Sequence, residues 1–426
     1  MSTDRWPAAR RPLTTAVPAL TLATALATVL ATVLLAPATA ANAGGERGGG
    51  RGGAGTEEPA TAGAPVPARL PRLAALTAVS CASPRLCMVI GNTSSKSTAV
   101  LRWNGRNWAE LPVPRPATDR LAAIWCGSAT SCLAAGETTR NASGSRSVPL
   151  AEQWNGYGWT VLPVPNQAHT FWSGLAGIDC GSATACTAVG SYTTAKSDHV
   201  PPTYALAEGW NGQAWRLEPA TNPEAQLTEL SSVSCSSAGA CTAVGTELDG
   251  GLVAERWNGT AWATQQPESS GGGGPGDLNA VSCPAAADCT VVGDSGGDDN
   301  QGLTETWNGR SWGSESVVAP SDWSTLSGLK CWSATACMAV GSDDGYRGDV
   351  TLAAWWNGRS WLLRHTPSAP RPALNSTLGA VSCGSPSACL AVGDSDGGVG
   401  KTDYTTGRRA LAEWWNGRKW RMLPRP

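Results

Sequence analysis

The chain of 426 residues contains the motif Trp-Asn-Gly-x-x-Trp seven times, and this repetition constrains the fold more than any other feature. The copies begin at Trp103, Trp154, Trp210, Trp257, Trp307, Trp356 and Trp415. A Cys-x5-Cys pair precedes each copy, and the seven pairs use all 14 cysteines. The pairs are Cys81 and Cys87, Cys126 and Cys132, Cys180 and Cys186, Cys235 and Cys241, Cys283 and Cys289, Cys331 and Cys337, and Cys383 and Cys389. Residues 71–426 are therefore predicted to be seven copies of one structural unit.

Each unit is predicted to contain four short strands. In the second repeat, residues 121–126 and 132–136 are two short apolar runs separated by a small polar turn. Residues 150–154 and 159–162 are two more, and the Asn155-Gly156 pair between them predicts a two-residue type I′ hairpin. No stretch in any repeat has the period or length of a helix. The sequence thus predicts an all-β, seven-bladed β-propeller with four antiparallel strands per blade.

Several positions recur with the same chemistry in every repeat. The third residue of the first strand is always small, as expected where the innermost strands converge on a channel: Ala78, Ala123, Gly177, Ser232, Ala280, Gly328 and Ala380. A two-residue hairpin would make the two Trp of each motif diagonal neighbours. In five repeats a Glu stands two residues before the first Trp: Glu152, Glu208, Glu255, Glu305 and Glu413. We expect each to lie opposite the second Trp and to accept its indole N–H.

The cysteine spacing favours one local disulfide per blade. The two Cys of a pair flank a five-residue turn between antiparallel strands, which brings them close enough to bond. Each closed loop is short, so each bond should add only about 2 kcal/mol. A zinc site is disfavoured because the spacing is too wide for a zinc knuckle and no His follows at ligand spacing.

The amino-terminal segment has the composition of an export signal. Arg5, Arg10 and Arg11 precede an uncharged run from Leu13 to Ala36, and Ala41-Asn42-Ala43 is a small-x-small cleavage site. We therefore expect a signal peptide over residues 1–43, with an uncleaved membrane anchor as the alternative. Residues 44–70 are rich in Gly, Ala and Pro and are expected to form a disordered linker. A secreted monomer without membrane contact after cleavage is the prediction, with local disulfides suited to an oxidising compartment.

The repeat resembles known propeller repeats. A strand that ends in Gly, a variable loop, a strand with an aromatic residue, a short turn and a Trp follow one another as in the kelch repeat of galactose-oxidase-like propellers. The Gly of Ala-Val-Gly takes the place of that family's glycine pair, for example at Gly190 and Gly245. The whole unit, over residues 71–426, also resembles a repeat of secreted proteins from high-GC bacteria, most of unassigned function. The resemblance implies a propeller and implies no particular activity.

Charge narrows the function classes. The formal net charge is −2, and no basic patch suited to nucleic acid is present in the sequence. Acidic residues follow the second strand in the last three repeats: Asp294, Asp298 and Asp299; Asp343, Asp344 and Asp349; Asp394, Asp396 and Asp403. Oxygen-rich loops of this kind can bind Ca²⁺, although solvated loop charges are the commoner explanation. We expect no cofactor and keep Ca²⁺ as the alternative.

Strand alternation assigns the turns to two faces. The Cys-containing turns and the Asn-Gly hairpins, nearly the same in every repeat, must lie on one face. The loops between second and third strands and the connectors between repeats vary in length and must lie on the other. Because symmetry is broken there, we expect ligands on the loop-rich face.

The predicted function is a non-catalytic module that binds an extracellular glycan or protein, and the residues favour it over an enzyme. Trp172 and Trp323 stand three residues before the first-strand Leu of repeats three and six and fall outside the repeated motif. They are candidate ligand-stacking groups, with inter-blade packing as the alternative. The candidate ligand-binding residues are Trp172, Trp323, His169, Glu137, Asp294 and Asp394, and no catalytic residue is assigned.

The alternative function is an extracellular polysaccharide hydrolase or lyase, which would need acids such as Glu137, Glu247, Asp294 and Asp394 to converge at the channel mouth.

Overall fold

A computed structural model describes residues 72–93, 97–113, 119–140, 146–194, 201–221, 228–247, 251–268, 276–297, 300–316, 321, 323–345, 348–368, 375–396 and 407–426. The predicted signal peptide (residues 1–43) and linker (residues 44–70) lie outside these ranges, so those boundaries stay predictions. In the part of the chain that is described, no helix is long and apolar enough to cross a membrane.

The chain forms seven four-stranded antiparallel sheets, each with its strands in sequence order. Blades one and two contain β1 (Leu73–Ser83), β2 (Leu86–Thr93), β3 (Thr98–Trp103), β4 (Trp108–Leu111), β5 (Asp119–Ser128), β6 (Ser131–Thr139), β7 (Ser147–Trp154) and β8 (Trp159–Leu162). Blades three and four contain β9 (Trp172–Ser182), β10 (Ala185–Thr193), β11 (Thr203–Trp210), β12 (Trp215–Glu218), β13 (Thr228–Ser237), β14 (Ala240–Glu247), β15 (Leu252–Trp257) and β16 (Trp262–Gln265).

Blades five and six contain β17 (Asp277–Ala285), β18 (Asp288–Asp294), β19 (Gly302–Trp307), β20 (Trp312–Ser316), β21 (Ser324–Ser333), β22 (Ala336–Gly345), β23 (Gly348–Trp356) and β24 (Trp361–Leu363). Blade seven contains β25 (Ser376–Ser385), β26 (Ala388–Ser395), β27 (Arg409–Trp415) and β28 (Trp420–Met422). The predicted seven-bladed propeller with four strands per blade is confirmed.

All seven predicted disulfides are present, one per blade, between sequence neighbours. They join Cys81 to Cys87, Cys126 to Cys132, Cys180 to Cys186, Cys235 to Cys241, Cys283 to Cys289, Cys331 to Cys337, and Cys383 to Cys389. No cysteine among the described residues is free. The two Cys of a pair are direct cross-strand partners, as for Cys235 and Cys241. Seven disulfides in one domain are typical of proteins that mature under oxidising conditions.

The first strand of every blade carries a β-bulge at the residue after its recurring Leu. In β13, Leu230 pairs with Gly245 and Ser232 pairs with Val244, which leaves Ser231 as the extra residue. The bulge pushes a carbonyl toward the second strand, and a Cβ built on Gly245 would overlap the carbonyl oxygen of Glu229. The Gly that ends each Ala-Val-Gly run is thus explained by the bulge opposite it.

Neighbouring blades approach most closely at their first strands. A Cβ on Gly177 would lie 3.0 Å from Cα of Ser232 in the next blade, and one on Gly328 would lie 2.9 Å from Cα of Ala380. The column of small residues predicted from the sequence is therefore required by inter-blade spacing. The first strands together line a central channel of about 380 Å³.

A chain of hydrogen bonds near the disulfides links the blades, and we call these bonds the latches. In each latch, the side chain of the residue directly before the first Cys of one blade accepts a hydrogen bond from the backbone N–H of the first Cys in the next blade. The observed pairs are Ser80 with Cys126 (2.9 Å), Asp179 with Cys235 (2.7 Å), Ser234 with Cys283 (3.0 Å), Ser282 with Cys331 (3.0 Å) and Ser382 with Cys81 (2.9 Å). Trp125 and Lys330 occupy the same position in blades two and six, and neither side chain can accept a hydrogen bond.

The same latch closes the ring without exchanging a strand between the chain ends. The bond from Cys81 N–H to Ser382 Oγ joins blade one to blade seven. Trp108 Nε1 adds a second bond, 2.9 Å long, to the carbonyl oxygen of Pro424. Every described strand of blades one and seven comes from its own repeat.

The Asn-Gly hairpins differ from the predicted type I′ turn. Trp154 pairs directly with Trp159, so the two Trp are direct and not diagonal partners, and four residues separate the strands. The Oδ1 atom of Asn155 accepts the backbone N–H groups of Tyr157 (2.9 Å) and Gly158 (3.0 Å), and in this loop Gly156 alone has positive φ, at 97°. A type I′ turn needs positive φ at both central residues, so that prediction was wrong, because the Asn side chain caps a longer loop instead.

The recurring Glu residues do not accept the indole N–H of the second Trp. Glu208 pairs with Leu217, not with Trp215, because the longer loop moves the register. In blades two, six and seven the first Trp instead donates to the Cys-containing turn of its own blade, as in the 2.9 Å bond from Trp356 Nε1 to the Ala334 oxygen. The five Glu side chains are fully buried, at 0% exposure each.

Backbone donors from the preceding blade reach some of these Glu residues. Glu255 Oε2 accepts the N–H of Thr221 at 3.1 Å, and Glu305 Oε2 accepts that of Glu268 at 3.0 Å. Thr221 and Glu268 both stand six residues after the second Trp of their repeats. In repeat two, which precedes the repeat of Glu208, the residue at this position is Pro165, which has no N–H. Burial, and next the neighbouring Glu218, raise the pKa of Glu208 to about 8, and burial raises the pKa of Glu255 to about 7.

Candidate functional site

The two faces of the propeller have the predicted composition. Disulfide turns and Asn-Gly hairpins share one end of each blade, as the Trp154 Nε1 bond to Ala129 O shows at 3.1 Å. Inter-blade connectors and the loops after second strands share the other end. There Phe171 N–H donates to Thr193 O at 2.7 Å, and Asp344 N–H donates to Trp323 O at 2.8 Å. We call these ends the hairpin face and the loop face.

A cavity of about 730 Å³ opens on the loop face, and we call it the loop-face cavity. Blades one to four line it, together with Arg408 from blade seven, so it is off-centre and breaks the sevenfold symmetry. Its polar and charged lining includes Asn92, Arg120, Glu137, Ser191, Glu229 and Arg408. Its volume lies in the range of about 300–1,000 Å³ that small-ligand sites usually occupy.

The floor of the cavity is made by bulged residues of the first strands. Thr77, Ala122, Ala176 and Ser231 line both the loop-face cavity and the central channel. Because each is the extra residue of a bulge, its side chain is turned toward the axis of the ring. Their small size leaves the floor shallow and open.

Trp172 and Glu137 form one fixed unit in the wall. The indole N–H of Trp172 donates to Glu137 Oε2 at 2.7 Å, and Ser147 Oγ donates to the same oxygen at 2.6 Å. A Cβ on Gly174 would lie 3.2 Å from Cζ2 of the Trp172 ring and 3.4 Å from Cβ of Glu137. The absence of a side chain at residue 174 therefore leaves room for the ring. The bond from Trp172 to Glu137 holds the ring in place, and the bond from Ser147 holds the Glu137 carboxylate.

Charged side chains surround this unit unevenly. Arg120 and Glu229 stand at the same position of the repeat, directly before the first-strand Leu, in blades two and four. Gly174 is the equivalent residue of blade three. Arg408 reaches the cavity from blade seven and forms a 3.0 Å ion pair with Asp394.

The six predicted ligand-binding residues are only partly brought together. Trp172 and Glu137 line the cavity, and Asp394 contacts it through Arg408. Trp323 lies in blade six, outside the lining, with 50% of its surface exposed. His169 is exposed at positive φ (61°), also outside the lining.

The remaining acids lie apart from the loop-face cavity. Asp294 pairs across the sheet with Asp277, and burial followed by repulsion from Asp277 raises its pKa. Burial also raises the pKa of Asp349, with repulsion from Asp344 next in size. Among the described residues, no three His, Cys, Asp or Glu side chains form a group able to hold a metal ion. Asp298, Asp299 and Asp403 of the predicted Ca²⁺ loops lie outside the described ranges.

Sequence reasoning missed Arg120, Glu229, Asn92 and Arg408. A signal for the first two was present, since the residue before the first-strand Leu varies widely among repeats: Ala75, Arg120, Gly174, Glu229, Asp277, Thr325 and Thr377. A variable position at the end of an otherwise constant strand marks the mouth of the channel. Arg408 carried no such signal, because it reaches the cavity from the opposite end of the chain.

Comparison with known proteins supports the fold alone. No protein-family model matches the chain, and no curated protein matches it. A solved polysaccharide lyase, the PL25 ulvan lyase bound to -[GlcA(1-4)Rha3S]-, is similar in structure, with a TM-score of 0.57, 7% identity, and coverage of 83% of this chain and 96% of that one. YCF48 bound to D1 peptide has a TM-score of 0.47 and 13% identity, covering 76% of this chain and 92% of that one. YCF48 from Cyanidioschyzon merolae has a TM-score of 0.47 and 11% identity, covering 76% and 94%.

Proposed function

We propose that the protein is a secreted, non-catalytic binding module whose ligand, a glycan or a protein segment, occupies the loop-face cavity. The observation that carries this proposal is the fixed Trp172–Glu137 unit inside an asymmetric cavity of about 730 Å³. A ligand gains most from an aromatic ring that is already immobile, because binding then costs little side-chain entropy. We expect the module to act as a monomer and to need no cofactor.

The other surfaces offer less to a ligand. The hairpin face repeats the same short turn in each blade, and its Trp pairs are used in packing, with ring centroids 5.0–5.7 Å apart. The central channel is narrower, at about 380 Å³, and its lining residues Ser80, Asp179, Ser234, Ser282 and Ser382 already hold the latches. The loop-face cavity combines an aromatic ring with uncommitted polar groups.

A polysaccharide hydrolase or lyase is the second candidate, because Glu137 and Glu229 both line the cavity. Such an enzyme needs a general acid and a general base positioned on the substrate. Oε2 of Glu137 already accepts two hydrogen bonds, which suits a role in holding Trp172. The acids first considered for catalysis, Glu247, Asp294 and Asp394, are outside the lining. These contacts favour binding over turnover.

A ligand screen tests the proposal. The mature protein is applied to a glycan array and to a peptide array, and each hit is measured again with Trp172→Ala and Trp323→Ala. Loss of a stacking anchor should weaken binding by roughly 1–3 kcal/mol for Trp172→Ala, whereas Trp323→Ala should leave binding in this cavity unchanged. Hits that Trp172→Ala does not weaken would place the site elsewhere. Release of shortened or unsaturated sugars from a bound polysaccharide would favour the enzyme.

A further inference from the structure

Arg120 presents a charge that the described part of the protein does not neutralise. Its side chain is exposed in the cavity wall and has no hydrogen bond or ion pair with any described residue. Its direct cross-strand partner is Glu137, yet Oε2 of that carboxylate is turned to Trp172 and Ser147. The other guanidinium of the cavity, that of Arg408, is paired with Asp394. Arg120 is thus the cationic group of the described lining that is free to meet a ligand.

Charged side chains are distributed unevenly around the mouth of the cavity. Arg140 and Arg146 flank the loop after β6 in blade two, and the Arg146 guanidinium lies 5.9 Å above the Phe171 ring, beside Trp172. On the opposite side, Glu229 in blade four and Asp277 in blade five hold the position that Arg120 holds in blade two. Blade two thus contributes Arg120, Arg140 and Arg146 against the Glu137 carboxylate, whereas blades four and five contribute Glu229 and Asp277 at this position. An anionic group is therefore favoured on the side of Arg120.

The aromatic ring of Trp172 lies between the Arg side chains of blade two and the acids of blades four and five. Trp172 is half-buried at the start of β9, between blade two and blade four, with its ring fixed through Glu137. A pyranose ring has an apolar C–H face that stacks on an indole, and hydroxyl groups at its rim that bond to Arg, Asn and Glu side chains. Asn92, a half-buried residue of the lining, supplies such a partner.

We propose that the loop-face cavity binds an acidic glycan, in which a uronate unit stacks on Trp172 and directs its carboxylate to Arg120. This proposal rests on the binding function above and names its ligand class. A guanidinium matches a carboxylate with two parallel N–H···O bonds, so Arg120 sets both the charge preference and the orientation of the sugar. Glu229 repels the carboxylate from the opposite wall and prevents the reversed orientation.

Matched sugars and matched variants test it. Isothermal titration calorimetry compares tetrasaccharides of galacturonate, glucuronate and mannuronate with their carboxyl-reduced counterparts, which differ only in the charged group. At least one acidic tetrasaccharide should bind roughly five- to tenfold more tightly than its reduced form, as expected for one charged contact at a partly exposed site. Arg120→Gln should remove that preference, because binding of the acidic sugar should fall toward that of the reduced one. Glu229→Gln should increase the preference, and Arg421→Gln, an exposed Arg on β28, should leave it unaltered.

The outcomes separate this proposal from the function on which it rests. Equal binding of acidic and reduced sugars, weakened by Trp172→Ala, would overturn the acidic-glycan proposal and keep the glycan-binding module. An acid preference that Arg120→Gln does not change would also overturn it. If no sugar binds and a peptide from the array binds in a Trp172-dependent way, the ligand class is wrong and the cavity is a peptide site.

Discussion

The two ends of each blade differ in how far they repeat. At the hairpin face, every blade carries a disulfide between cross-strand Cys partners and a Trp pair across a four-residue loop. At the loop face, the residue before the first-strand Leu changes from Ala75 to Arg120 to Gly174 over three consecutive blades. Stability is therefore supplied by what recurs, and ligand recognition is expected from what does not recur.

The comparison predicts that Trp residues at the two ends respond differently to removal. Trp356 at the hairpin end is 6% exposed, packs on Trp361 with ring centroids 5.6 Å apart, and donates to Ala334 O. Trp356→Ala should lower the free energy of unfolding by about 3–5 kcal/mol, because it leaves a cavity in a packed blade. Denaturant unfolding of this variant beside wild type gives the value.

Trp172→Ala is the control at the loop end. Its ring is half-buried and makes one side-chain hydrogen bond, so we expect a loss of only about 1 kcal/mol. If Trp172→Ala unfolds as readily as Trp356→Ala, Trp172 is an inter-blade packing residue and the distinction between the two ends is lost.

Much of the scaffold was predictable because its causes lie within one repeat. Cys spacing, strand length and the small residue of the first strand all act locally or between adjacent copies. The hairpin type was mispredicted because the Asn155 side chain, not a second positive φ, closes the loop. The Glu208 environment was mispredicted for the same reason, since the longer loop moved its cross-strand partner from Trp215 to Leu217.

The candidate site was less predictable because it depends on contacts between repeats. Trp172 and Glu137 were named from the sequence, but their hydrogen bond joins blade three to blade two. Arg408 meets the cavity only because the ring closes. Such contacts follow from tertiary structure and have no local signal in the chain.

Buried acids inside the repeated scaffold predict a pH dependence. Glu208 keeps its proton in the folded protein up to its raised pKa of about 8, whereas in the unfolded chain it loses the proton near the ordinary value of 4.5. Between these values the folded state binds more protons than the unfolded chain does. The contribution of protonated Glu208 to the free energy of unfolding is therefore complete below pH 4.5 and is lost as the pH rises to about 8. Glu208→Gln removes the titration, and its stability relative to wild type should therefore increase from about pH 5 to about pH 9. Each pKa unit corresponds to about 1.4 kcal/mol, and we expect a few kcal/mol at most.

Glu255→Gln provides the matched comparison. Glu255 has a backbone donor from Thr221, and its pKa is raised only to about 7. Its relative gain should be smaller and should level off at lower pH than that of Glu208→Gln. Unfolding midpoints measured at one-unit pH intervals distinguish the two, and parallel curves would show that Pro165 has no influence on the Glu208 carboxyl.

Removing one disulfide tests the hairpin end with a smaller change. The double variant that combines Cys283→Ala with Cys289→Ala opens a short loop in blade five, and we expect a loss of about 2 kcal/mol. Ligand binding at the loop face should not change, because blade five does not line the cavity. A binding loss equal to that of Trp172→Ala would mean that the two ends of the blades are coupled.

The smallest predicted effect concerns a single latch. Ser282 Oγ accepts the N–H of Cys331 at 3.0 Å in a position that is 5% exposed, so Ser282→Ala leaves a buried N–H without its acceptor. The expected cost is about 1 kcal/mol. Ser327→Ala is the control, since Ser327 lies on the neighbouring first strand as a bulged residue facing the channel and holds no latch. Thermal melts should place Ser282→Ala below both wild type and Ser327→Ala. Coincident melts of the two variants would show that packing of the small first-strand residues, and not the latch, holds neighbouring blades together.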